Sequence, residues 1–137
     1  MKVNGHWDGK LLDVSGVDAI LGLDLRAQDE KVSGKFTATL LPAAEDVCGG
    51  QVRGPKISGP VEGSIDAKGN LVLKAELEAQ GQRIVAVFSA RPGKPDPHAA
   101  GAFYGGYAIE EGASALTFQG GACVLWQFSR RGQGEVR

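Results

Sequence analysis

Alternation of apolar and polar residues runs through most of this chain, and a period of two admits β-strands and little else. Val3, Gly5, Trp7, Gly9 and Leu11 fall on one face of the first segment, against Lys2, Asn4, His6, Asp8 and Lys10 on the other. After Val14-Ser15-Gly16 the pattern resumes, with Val17, Ala19, Leu21, Leu23 and Leu25 inward. Beyond a turn at 27–30, Val32, Gly34, Phe36, Ala38 and Leu40 repeat it. Leu71, Leu73, Ala75, Leu77 and Ala79 form another inward set, facing away from Lys74, Glu76 and Glu78. No segment carries a helical period. Glycine supplies 21 of 137 residues, about twice ordinary usage, and is dispersed as in a turn-rich β chain.

The interruptions are as informative as the strands. Pro42 to Gly50 reads as a loop, and Val52 to Asp66, broken by Pro55 and Pro60, as a strand with a bulge or kink. Residues 91–98, with three prolines, are expected to lie outside any strand. Gly101 to Ile109, Ala115 to Phe118 and Ala122 to Ser129 complete eight or nine strands. Consecutive strands joined by short turns favour an all-β fold: a single up-and-down antiparallel barrel of about eight strands, whose closure removes exposed sheet edges. A two-sheet sandwich is the alternative. One barrel domain over 1–131 is expected, with 132–137 as a frayed tail.

Fifteen Lys and Arg against sixteen Asp and Glu leave a formal charge of −1, which argues against a nucleic-acid partner. No apolar run approaches the roughly 20 residues of a bilayer span. The first residues lack a signal-peptide stretch, which favours a cytoplasmic location over a periplasmic or secreted one. Cys48 and Cys123 show no metal-ligand spacing, so neither metal nor cofactor is expected, and either two free thiols or one disulfide fits. His6 and Asp8, two apart on the polar face, read as solvated surface. No catalytic motif is present, which favours a non-enzyme. A barrel enzyme working by pocket shape would need a buried ionisable group, for which Lys56 and Arg83 are the only weak candidates.

The Gly5-His6-Trp7 triplet on the first strand, together with Arg130 at the end of the last, resembles the calycins, the grouping of lipocalins, fatty-acid-binding proteins, avidins and bacterial metalloprotease inhibitors. The resemblance implies that Arg130 stacks on Trp7 and closes one end of the barrel. Arg130 is placed inward with Val124, Trp126 and Phe128. With two tryptophans in all, an avidin-like biotin site is not implied.

Many inward positions are small, among them Gly9, Ala19, Gly34, Ala38 and Ala75. Trp7, Phe36, Tyr107 and Trp126 are therefore expected to line an internal cavity of at least roughly 300 Å³ for a small, mainly apolar ligand. The opposing possibility is that Trp7, Phe36, Phe88, Trp126 and Phe128 fill the middle. The second functional class is an accessory, assembly or inhibitory subunit that binds another protein. It would use loops 42–50 and 91–100 or an outer face carrying Val85, Val87 and Leu125, with Cys123 on the same side. Apolar residues on that face also suggest a homo-oligomer or a place in a larger complex.

Overall fold

The computed structural model describes residues 3–40, 56–79, 81–93, 99–112 and 119–128. They form eight strands: β1 (Gly5–Asp13), β2 (Asp18–Gln28), β3 (Lys31–Leu40), β4 (Lys56–Ile65), β5 (Leu71–Ala79), β6 (Gln82–Pro92), β7 (Ala99–Glu111) and β8 (Gly120–Phe128). Each pairs antiparallel with its sequence neighbours, and β1 pairs with β8 as well as β2, so the sheet closes as an up-and-down barrel. The sandwich alternative is excluded by that closure. The 42–50 loop, Ala115–Phe118, Cys48, residues 94–98 with His98, Arg130 and the tail lie outside the described residues.

Two strand limits differ from expectation. The β3–β4 ladder runs through Pro60 without a register shift, whereas the β4–β5 ladder begins only at Val61. Pro60, exposed and without an N–H to donate, thus stands beside the start of the second ladder. Arg91 and Pro92, expected outside any strand, extend β6 and pair with Tyr104 and Phe103.

The alternation orients β1, β2, β3 and β5 as expected. Leu21, Leu23, Leu25, Val32, Leu71 and Leu73 are all buried in one continuous core. Strand β8 has the opposite phase to the one expected. Cys123 and Leu125 point into the core, and Trp126 is half-buried on the outer wall. Both faces of Gly120–Phe128 are apolar, so periodicity alone could not choose between them. Register does: Leu125 stands opposite Gly9 and Phe103, and a Cβ on Gly9 would lie 2.6 Å from the Leu125 side chain. Gly9 is small so that Leu125 can point inward.

Other inward glycines mark places where adjacent strands approach too closely for a side chain. A Cβ at Gly34 would come within 1.8 Å of the Asp24 carbonyl oxygen, and one at Gly63 within 1.8 Å of that of Val72. Those glycines let a short-stranded sheet coil tightly enough to close, and the space they leave is filled by neighbouring backbone. Gly34→Ala is expected to cost about 1–3 kcal/mol or more, seen as a fall in the urea midpoint. An unchanged midpoint would mean that the sheet is looser there than described.

Candidate functional site

Of the four residues expected to line a cavity, Trp7, Phe36 and Tyr107 are buried inside the barrel and Trp126 is not. The three inner rings pack against the chain itself. Phe36 lies 5.2 Å from Phe88, and Phe88 lies 5.8 Å from Tyr107, making a row of rings across the interior. Trp7 sits 5.1 Å from Phe103 and donates its indole N–H to the Val3 carbonyl at 2.7 Å. Val3 is itself buried, so the segment leading into β1 packs against Trp7. The expected stacking of Arg130 on Trp7 lies outside the described residues.

The hollows described on the molecule lie on its outer wall or rim. One open groove of about 610 Å³ runs over β1–β3 beside His6, Asp24 and Arg26. A second, of about 390 Å³, crosses β3–β5 beside Pro60, Glu62 and Lys74. A third, of about 410 Å³, lies between the turns at Asp29–Glu30 and Asp66–Gly69.

The buried ionisable group that sequence reasoning missed is Asp13, the only charged side chain in the core among the described residues. It continues the inward parity of Trp7, Gly9 and Leu11, and it opens the Asp13-Val14-Ser15-Gly16 turn; together those are the signal that could have found it. Its carboxylate accepts hydrogen bonds from the Tyr107 hydroxyl, from the Ser15 N–H at 3.0 Å, and from the Gln119 and Gly120 N–H groups at 2.9 and 2.8 Å. Burial pushes its pKa up, but the Tyr107, Ser15 and Gly120 hydrogen bonds outweigh burial and hold it down at about 2. Burial and the hydrogen bond to Asp13 push the Tyr107 phenol up from its ordinary value. The carboxylate ties the β1–β2 turn to the start of β8.

The two cations weighed for catalysis are surface groups. Lys56 is exposed, and Arg83 spans Glu76 at 2.9 Å and Glu111 at 3.2 Å. His6 is more engaged than a solvated histidine. Its Nδ1 lies 2.9 Å from Asp24 and its Nε2 3.1 Å from Asp8, so the doubly protonated ring satisfies both carboxylates, and Asp24 chiefly raises its pKa above 6.5. Among the described residues no group of three metal-ligating side chains forms a site.

The expected partner face is redrawn by the register. Leu125 lies in the core and leaves that face. Val85 points away from the interior cluster yet is only 2% exposed, and Val87 is half-buried. Cys123 also lies inside, where burial raises its thiol to about 12. It is therefore expected to stay unmodified by a water-soluble disulfide reagent at neutral pH until the protein is unfolded. Rapid labelling of the native chain at this position would contradict its placement.

The outer wall instead shows an uncharged stretch on β7 and β8. Tyr104, Gly106 and Ala108 point outward on β7, and Ala122, Val124 and Trp126 do so on β8. On β1 and β2 the exposed Leu12 and Ile20 adjoin this stretch, interrupted by Lys10 and Asp18, and Asp8 stands across from Trp126. The outer positions of β3–β5, by contrast, carry Lys31, Lys35, Lys56, Glu62, Lys74, Glu76 and Glu78. No helix among the described residues is long and apolar enough to cross a membrane.

The fold is a closed eight-stranded antiparallel barrel with an apolar core, compatible with a calycin-like architecture. No family model, no curated protein and no solved structure matches the chain.

Proposed function

We propose that this chain is a non-enzymatic protein-binding barrel, an accessory or inhibitory subunit that engages another protein through the outer wall around β7 and β8. The observation carrying this choice over an internal ligand is the row of Phe36, Phe88 and Tyr107 rings, which pack against one another inside the barrel. An apolar surface facing water on an otherwise charged barrel favours a partner there. The calycin resemblance fits either use, since a closed barrel serves as a vessel or as a rigid support.

Native mass spectrometry of protein purified from its own source tests the choice. The expected spectrum contains the bare chain mass within a larger protein assembly. A bare chain carrying a small organic molecule that solvent strips away would overturn the proposal and restore the ligand-carrier alternative.

A further inference from the structure

Building on that protein-binding proposal, we infer that the partner docks on a corner formed by Arg91, Tyr104 and Trp126, and that it presents a carboxylate beside an apolar or aromatic side chain. The register places Arg91 of β6 directly across from Tyr104 of β7, and Tyr104 across from Val124 of β8, with Trp126 two residues along. Cross-strand neighbours of this kind stand on one face within reach of each other.

Tyr104 is 49% exposed although large and apolar. Its ring lies over Gly93, where a Cβ would meet a ring carbon at 2.0 Å. The missing side chain at position 93 is what leaves room for the ring in this orientation. Trp, Tyr and Arg are the side chains that most often dominate binding energy at interfaces. Here they stand together, among small or short neighbours at Ala102 and Val124.

The charge on the partner follows from the charged groups around the corner, where Asp8 of β1, directly across from Trp126, already has His6 at 3.1 Å. Arg83 is held by Glu76 and Glu111, and Lys10 lies 3.7 Å from Asp18. Arg91 is exposed and has no carboxylate in ion-pair contact among the described residues. A guanidinium beside an aromatic ring is matched by a carboxylate, which it can grip through two parallel hydrogen bonds. A second copy of this chain meeting the patch through a twofold axis would bring two Arg91 side chains together, which disfavours self-association there.

The test is selection of a phage-displayed library of random short peptides on the full-length chain, followed by affinities of the recovered synthetic peptides. The expected peptides place Asp or Glu close to an aromatic or aliphatic residue. Their binding is expected to weaken about tenfold or more with Arg91→Glu and with Tyr104→Ala, and to survive in part with Arg91→Lys. Both side chains point outward, so urea midpoints of these variants should stay near that of the parent, separating lost binding from lost folding. Peptides without an acidic bias, affinities unmoved by Arg91→Glu, no recovered peptides, or self-association through this patch would each overturn the inference. A natural partner that still binds the Arg91→Glu and Tyr104→Ala variants would defeat the docking corner while leaving the protein-binding role intact. A small molecule found alone on the purified chain would defeat the role itself.

Discussion

Phe88→Ala is expected to lower the free energy of unfolding by about 3–5 kcal/mol, measured by urea denaturation at neutral pH. Phe88 stands in the middle of the ring row, between Phe36 on β3 and Tyr107 on β7, so its removal severs contacts across the barrel and leaves a void. Elements on opposite walls cannot move together to fill that void, because each is fixed in a closed hydrogen-bonded sheet. An apolar void of that kind stays dry and can accept a benzene-sized molecule. The variant is therefore expected to gain stability on addition of benzene, and the parent to show no such gain. A loss below about 1 kcal/mol, or a parent already stabilised by benzene, would mean that the interior holds slack space and would return the internal-ligand alternative.

The same packing explains what could be seen in advance. On β1, β2, β3 and β5 one face is apolar and the other charged, so alternation fixes which side chains turn inward, and sequential pairing follows from short turns. On β8 the contest between Cys123 with Leu125 and Val124 with Trp126 has no winner by hydropathy. It is decided by which set meets Gly9, Leu11 and Phe103 across the ladder, a fact about register rather than composition. That single inversion moved Trp126 from core to surface and Leu125 from surface to core, taking one residue from the expected cavity and one from the expected partner face.

The inward glycines misled for a related reason. A small residue inside a barrel signals free space only if nothing else occupies it, and at Gly34 and Gly63 the neighbouring strand does. The row of Phe36, Phe88 and Tyr107 rings supports the proposal that recognition takes place on the outer wall. There the register of β6, β7 and β8 sets Arg91, Tyr104 and Trp126 side by side, although they are up to 35 positions apart in the chain.

Asp13→Ala is expected to cost roughly 2–4 kcal/mol, because it removes the acceptor shared by the Tyr107 hydroxyl and the N–H groups of Ser15, Gln119 and Gly120 at a partly buried end of the barrel. The pH dependence identifies the carboxylate as the agent. Its pKa is about 2 in the folded chain against an ordinary 3.8, so the folded state favours the ionised form. The resulting stabilisation, about 2 kcal/mol, is fully present above about pH 4 and is lost as pH falls through the folded value near 2. Urea midpoints taken between pH 6 and about pH 2 should therefore fall more steeply for the parent than for Asp13→Asn, which cannot ionise and keeps one acceptor oxygen for Tyr107. Parallel acid profiles for the two proteins would show that the Asp13 hydrogen bonds do not favour the charged form. The tie between the β1–β2 turn and β8 would then rest on packing around Tyr107 rather than on the carboxylate.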